Sequence, residues 1–198
     1  MMRLRPIAGF LLVFVFLYGL LIVPWPGWNR AYARYFCAMG SVFYPDGGGR
    51  RLIRFAVART EHPSIDTSIT IADRGRTNPG GRSPASVLWL DARSVGWIPT
   101  ALFAALTVAS PVSWRRRGLA LVLGLLLVQA FILLSVGCYI WDESAALGVA
   151  TIGPFWKVVA DGLEETLVTQ LGASFVAPAL IWAIVTFRSG DFRRLPGG

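Results

Sequence analysis

Two cysteines and a single histidine are the residues of this chain best suited to nucleophilic chemistry. A reactive Cys138 would need a nearby base or cation to favour its thiolate, and His62 and Arg93 are the candidates for that role. The sequence has no paired-cysteine motif, no glutamate–histidine helix motif and no glycine-rich phosphate loop. The sequence therefore predicts no metal and no cofactor, and catalysis by Cys138 stands as an alternative hypothesis.

Four charged residues lie beside apolar segments of the chain. Asp91 and Arg93 precede the second such segment, and Asp142 and Glu143 follow the third. Charges at a membrane surface can form ion pairs or bind a polar group, although many simply mark the point where a helix leaves the lipid. We treat these four residues as a candidate interaction site at the outer face.

The elements that must position these residues are four apolar segments, residues 7–23, 96–112, 119–140 and 166–187. Each is close to the ~20 residues that a helix needs to cross the hydrocarbon core. Hydrophobic residues make up 55% of the chain and charged residues 15%, which is too apolar for an ordinary soluble domain. The sequence predicts a membrane protein with four transmembrane α-helices.

Arginine clusters lie at alternate ends of these segments and predict the orientation. The clustered residues are Arg3, Arg5, Arg115, Arg116, Arg117, Arg188, Arg193 and Arg194. Short basic segments stay in the cytoplasm, so both termini are expected there, in a multi-pass protein of the bacterial inner membrane. We interpret the net charge of +8 as the sum of basic residues that orient the helices in the lipid bilayer and contact its headgroups. No nucleic-acid partner is expected.

The first apolar segment is expected to remain as an anchor. Residues 31–33 (AYA) resemble a signal-peptide cleavage site, but residues 24–28 (PWPGW) separate them from the apolar run. Prolines and tryptophans at that position are typical of an interfacial cap. Residues 1–28 are therefore interpreted as a transmembrane helix with its cap.

Residues 29–95 are predicted to form a small β-rich extracytoplasmic domain, inserted between helices 1 and 2. Residues 29–39 have helical spacing, whereas 41–44 and 51–59 flank a turn and are predicted to be a β-hairpin. Alternation at 65–71 and the segment 86–90 predict two more strands. Such a domain buries only a small core, so we expect it to lean on the membrane or on a partner.

The rest of the chain is divided into three parts. Residues 96–141 are predicted to be a transmembrane helical hairpin, 142–165 an acidic extracytoplasmic amphipathic segment, and 166–198 a transmembrane helix with a basic cytoplasmic tail. Gln129 is the clearest polar residue inside a span, and a lone glutamine there usually joins neighbouring helices. The scarcity of intramembrane charge disfavours a carrier for lipids or small molecules, which is kept as an alternative.

In this topology, Cys37 and Cys138 both lie on the oxidising side of the membrane. A disulfide between them would tie the outer domain to the helices if their Cα atoms come within ~7 Å. Two unlinked, buried thiols are the other interpretation.

The layout and several segments resemble small exosortase-associated membrane proteins, with the exosortase H-associated group as the nearest likeness. The segments are residues 96–100 (GWIPT), 110–117 (SPVSWRRR), 178–182 (PALIW) and 187–194 (FRSGDFRR). The resemblance implies a protein that assists a membrane-embedded cysteine transpeptidase, a sortase-like enzyme acting on secreted proteins. Our leading hypothesis is a non-catalytic accessory protein with a membrane-protein partner.

Overall fold

A computed structural model describes residues 4–46, 49–58, 65–76, 83–149 and 175–187. The chain begins with helix α1 (Leu4–Ile22), turns at a cap that ends in Gly27, and continues as helix α2 (Trp28–Phe43). Gly27 has φ of +79°, a left-handed conformation that glycine adopts without steric cost. This turn allows α2 to run in a different direction from α1.

Three antiparallel strands follow, β1 (Arg51–Val57), β2 (Thr67–Asp73) and β3 (Ala85–Leu90), in the order β1-β2-β3. The register pairs Ile53 with Ile71 and Ile69 with Leu88, so the apolar residues share one face. That face packs on α2 and on the following helices, and Ile69 and Ile71 are completely buried. The strands lie where the alternating patterns predict them.

The predicted hairpin strand at residues 41–44 is wrong, because residues 41–43 are the last turn of α2. Gly40 is buried under the sheet at this point, and the following Tyr44 hydroxyl donates to the Leu133 carbonyl oxygen at 2.7 Å. Continued helix allows both contacts, and this tertiary packing outweighs the local strand preference of the segment.

The helices after the sheet begin with a single π-helical turn (Arg93–Trp97) that runs directly into α3 (Ile98–Ala109). A short turn leads to α4 (Trp114–Ala146), and α5 (Ala177–Thr186) is the last described element. α3 packs against α1, α4 and α5. Most of the predicted acidic segment, and the predicted fourth span before residue 175, lie outside the described residues.

Among the described helices, α4 alone has the length and apolar composition needed to cross a membrane. α1, α3 with its π-turn, and α5 are apolar but shorter. The four-span topology therefore stays a prediction.

Candidate functional site

The sheet, which belongs to the predicted outer domain, is joined to the helices through Asp66, a residue that the sequence analysis did not single out. Its carboxylate accepts the Ala92 N–H at 2.8 Å and the Thr67 hydroxyl at 3.0 Å. Burial, and to a smaller degree the neighbouring Asp91 charge, raise the pKa of this carboxyl. Asp66 thus links the start of β2 to the start of the helix that leads into α3.

Asp91 and Arg93 are brought together, but each caps a helix end: Asp91 the start of the π-turn before α3, and Arg93 the end of α1. Asp91 accepts the Arg93 backbone N–H at 3.0 Å and the Ser94 hydroxyl, which caps the first turn before α3. The Arg93 guanidinium donates to the carbonyl oxygen of Ile22, the last residue of α1. These contacts satisfy backbone groups that would otherwise be orphaned at the helix ends.

Two tryptophans complete this cap on α1. The Trp97 indole N–H donates to the Leu21 carbonyl at 2.9 Å, and the Trp25 indole donates to the Leu20 carbonyl at 3.1 Å. Trp28 packs edge-on against Trp97, with ring centroids 4.9 Å apart. The result is an aromatic collar, defined as Trp25, Trp28, Tyr32 and Trp97, where α1 ends and α3 begins.

Asp142 and Glu143 lie in the last turns of α4, Asp142 exposed and Glu143 half-buried. Within the described part of the chain, no hydrogen bond or ion pair joins them to Asp91 or Arg93. The predicted four-residue site is therefore two separate groups in the structure, one capping helices and the other at the end of α4. His62 lies outside the described residues.

Cys37 is buried between α2 and the sheet, with an exposed fraction of 8%. Burial raises the pKa of its thiol, although the neighbouring Thr67 hydroxyl acts in the opposite direction. A raised pKa disfavours the thiolate that nucleophilic chemistry requires. The position therefore suits a packed thiol.

Cys138 is half-buried on α4 and close to Tyr44, and both cysteines are thiols in the structure. Ionisation of Cys138 would disfavour the phenolate of Tyr44, whose pKa is raised mainly by burial. The disulfide between Cys37 and Cys138 stays a prediction, which non-reducing electrophoresis of the purified chain would test.

Gln129 joins α4 to α2 and α3, which is the interhelical contact that the sequence predicts for it. Its amide nitrogen donates to the Thr100 hydroxyl, and its oxygen accepts the Tyr35 hydroxyl, both at 3.3 Å. The buried Tyr32 hydroxyl lies beside Thr100 and Gln129 without hydrogen-bonding geometry to either. Gly96 leaves space for that hydroxyl, since a Cβ there would be 2.5 Å from it.

The sheet also has a buried carboxylate that sequence reasoning missed. Asp73 is fully buried at the end of β2 and receives the Arg50 guanidinium in a two-pronged contact of 2.8–3.1 Å. The Arg50 hydrogen bonds hold the pKa of the Asp73 carboxyl below its usual range. No motif signals this pair, because the residues are 23 positions apart and meet only through strand pairing.

Several side chains on the side of the sheet turned away from α2 are exposed in the described part of the chain. We call this side the outer sheet face, defined as Leu52, Arg54, Ser68, Thr70, Val87 and Trp89. Trp89 is 52% exposed and Val87 40% exposed, although both are large apolar side chains. The register places Trp89 opposite Ser68 and Val87 opposite Thr70. Exposed aromatic and aliphatic side chains within a polar surround are typical of a protein-binding surface.

In the described residues, no group of three or more histidine, cysteine or acidic side chains could hold a metal ion. In comparisons with known proteins, the chain matches no family model, no curated protein and no solved structure.

Proposed function

We propose that this chain is an integral protein of the bacterial inner membrane with four spans and both termini in the cytoplasm. The described end of the bundle opposite the aromatic collar carries Arg115, Arg116 and Arg117 in the first turn of α4. Aromatic rings at one end and arginines at the other fit the outer and inner interfaces, respectively. The orientation is that predicted from the sequence.

The length of α4 is one argument that the sheet lies outside the membrane, because this helix is longer than the hydrocarbon core and contacts the sheet. Its 33 residues are about 50 Å long at 1.5 Å per residue, which exceeds the ~30 Å hydrocarbon core. Its lower half packs on α3, where Phe103 meets Gly124. In its upper half, Ile132, Val136 and Ile140 belong to the same buried cluster as Ile69 and Ile71 of the sheet. In this arrangement the upper half of α4, which comprises the outer part of the predicted span 119–140 and the residues beyond it, supports the sheet.

The function we propose is that of a non-catalytic accessory protein, which presents the outer sheet face to a membrane-protein partner. The observation that carries the proposal is the contrast between the two sheet faces. One face is held against α2 and α4, whereas the other exposes Trp89 and Val87 on a surface directed away from the membrane in our orientation. The pathway we propose is the exosortase-type protein sorting that the sequence resemblance implies, with a sortase-like enzyme as partner.

The enzyme alternative would require Cys138 to act with His62 or Arg93. The Arg93 guanidinium is engaged at the end of α1, which speaks against that pairing. Cys138→Ser provides the test: loss of the cellular phenotype at normal protein level would favour the enzyme, and an unchanged phenotype would favour the accessory role.

Co-purification from mild detergent tests the accessory role. We expect the wild-type chain to retain one dominant membrane protein, and Trp89→Ala with Val87→Ser to lose it without lowering the yield or the thermal unfolding midpoint. Leu119→Ala, an exposed apolar position low on α4, is the matched control and should retain the partner. Recovery of the wild-type chain alone would contradict the proposal.

A further inference from the structure

Helix α2 has three different surfaces, and two of them are uncovered by described residues. The first surface is buried and consists of Tyr32, Ala33, Phe36, Cys37 and Gly40. The second is an exposed apolar stripe at helical spacing, which consists of Ala31, Tyr35, Ala38 and Val42. The third is an exposed polar stripe beside it, with Arg30, Arg34 and Ser41. A helix with three such surfaces suits the boundary between protein, lipid tails and headgroups.

The contacts of α2 fix the directions in which these stripes point. The sheet lies against one side, where Phe55 meets Gly40 and the Cys37 thiol meets Thr67. The apolar stripe is on nearly the opposite side, and its Tyr35 reaches Gln129 within the bundle. The stripe therefore faces away from the sheet, which is toward the membrane in the proposed orientation.

The aromatic collar sets the level of α2 along the bundle. Trp28, at the start of α2, packs against Trp97, and the Tyr44 hydroxyl, just past its end, reaches Leu133. Gly96 and Thr100 of the π-turn and α3 lie at the same level, beside Tyr32. Both ends of α2 thus lie beside the outer half of the bundle, and in the proposed orientation we place the helix along the outer surface of the membrane.

The two arginines of the polar stripe are four residues apart, one helical turn, and both are exposed. Neither makes a hydrogen bond or ion pair with any described residue. Arginine side chains beside an apolar surface extend their guanidinium groups toward headgroups, and a guanidinium binds phosphate through paired N–H donors. Tyr35 is 49% exposed and Val42 73% exposed, so large apolar groups lie immediately beside the arginines.

We propose that α2 binds an anionic phospholipid of the outer leaflet. The lipid phosphate lies against Arg30 and Arg34, and the acyl chains lie along Ala31, Tyr35, Ala38 and Val42. The inference rests on the proposed orientation in the membrane, but not on the identity of the protein partner. It assigns α2 a second task besides supporting the sheet, which is to hold the outer domain at a fixed height above the bilayer.

Lipid retention by the full chain tests the proposal. The protein is reconstituted with equal amounts of phosphatidylglycerol and phosphatidylcholine, extracted mildly, and the bound lipids are counted by native mass spectrometry. We expect the wild type to favour phosphatidylglycerol and Arg30→Gln with Arg34→Gln to lower that preference by roughly thirtyfold, because the contributions of basic groups near an anionic surface add. Arg51→Gln with Arg54→Gln removes the same charge from β1 and should leave the preference unchanged.

A second measurement places the apolar stripe directly. In a chain carrying Cys37→Ser and Cys138→Ser, a fluorophore attached at Val42→Cys should be quenched by lipids brominated on their acyl chains. The same fluorophore at Arg54→Cys should not be quenched. Equal lipid preference in all variants, or quenching at residue 54 but not at 42, would overturn the proposal.

The outcomes distinguish this inference from the accessory role. If the arginine variant loses phosphatidylglycerol but retains the protein partner, both proposals stand. If lipid preference is unaffected while the partner is still retained, the lipid site is wrong and the accessory role remains. A photoreactive group at residue 42 that joins α2 to a protein or to a second copy would likewise contradict the lipid site.

Discussion

The Phe55 ring lies so close to Gly40 that a Cβ atom on residue 40 would be 2.4 Å from the Phe55 Cε1 atom. This contact joins β1 to α2, and the same ring stacks near Tyr44, with centroids 6.4 Å apart. The sheet is therefore pressed onto the helix that we place at the membrane surface. The height of the outer sheet face depends on how closely these two elements approach.

Gly40→Ala should separate the sheet from α2. The added methyl group requires Phe55 to move, and overpacking of this kind costs ~1–3 kcal/mol, against a gain of about 1 kcal/mol in helix propensity. We expect a net loss of up to about 2 kcal/mol, measured as a lower midpoint of thermal unfolding in detergent. Adding Phe55→Leu should recover part of the loss.

Gly19→Ala in α1 is the control for that experiment, since no described atom lies within 4 Å of a Cβ at residue 19. Its midpoint should stay the same or rise. If Gly40→Ala behaves like Gly19→Ala, the close packing of sheet and helix is wrong.

Gly124→Ala should be more damaging, because its Cβ would be 1.9 Å from the fully buried Phe103 ring. The contact lies between α3 and α4, where closely packed small residues allow helices to approach. We expect a net loss of about 2 kcal/mol, because overpacking at the upper end of its usual range costs ~3 kcal/mol and alanine recovers about 1 kcal/mol of helix propensity. Gly118→Ala, on the same helix but without a described neighbour within 4 Å, should be tolerated. Equal midpoints for the two variants would contradict the α3–α4 packing.

Arg93→Gln should lower stability, whereas Arg93→Lys should lower it less. The guanidinium satisfies the Ile22 carbonyl at the end of α1, and an unsatisfied buried polar group costs ~1–3 kcal/mol. The measurement is thermal unfolding, together with partner retention by the surviving folded protein. A variant with normal stability but no function would instead place Arg93 in a binding or catalytic site.

The outer domain should respond to pH through two aspartates with opposite effects. The Asp73 pKa is lowered by Arg50, so its stabilising effect is present above the ordinary aspartate value of ~3.9 and is lost as the pH falls through the lowered pKa. The Asp66 pKa is raised by burial, so its ionisation reduces stability as the pH rises from ~3.9 through the raised pKa.

Unfolding midpoints of Asp73→Asn and Asp66→Asn between pH 3 and pH 7 test this pair of effects. At pH 7, Asp73→Asn should be less stable than the wild type, because Arg50 loses its charged partner. Asp66→Asn should be at least as stable, because an amide oxygen can still accept the Ala92 N–H without the cost of a buried charge. At pH 3 the differences should shrink, and the opposite order at pH 7 would show the two assignments to be wrong.

The alternation at residues 53, 55, 69 and 71 was sufficient to predict β1 and β2, because a period of two places one face of a strand in the core. The amphipathic spacing of 29–39 likewise predicted α2. The end of α2 could not be predicted, since it depends on contacts with Phe55 and Leu133, which are distant in sequence.

In the candidate site, too, the residues found from the sequence are those marked by local features, and the residues missed depend on contacts between distant segments. Cys37, Asp91 and Arg93 were chosen by residue type and by nearness to apolar segments, and the structure gives each a packing or capping contact. The pairs Arg50–Asp73 and Asp66–Ala92 were missed, because strand register and helix placement bring them together. The outer sheet face could not be identified from the sequence either, because alternation shows that a strand has two faces but not which of them the helices cover.

The accessory role is tested most directly by a photoreactive amino acid at Val87, introduced into the full chain in living cells and activated in native membranes. Val42 is the matched position, exposed and apolar but on α2. We expect one dominant membrane protein attached at residue 87, its loss on Trp89→Ala, and mainly lipid at residue 42. Lipid or scattered proteins at residue 87, with no dominant partner, would contradict the claim that the outer sheet face docks a membrane protein.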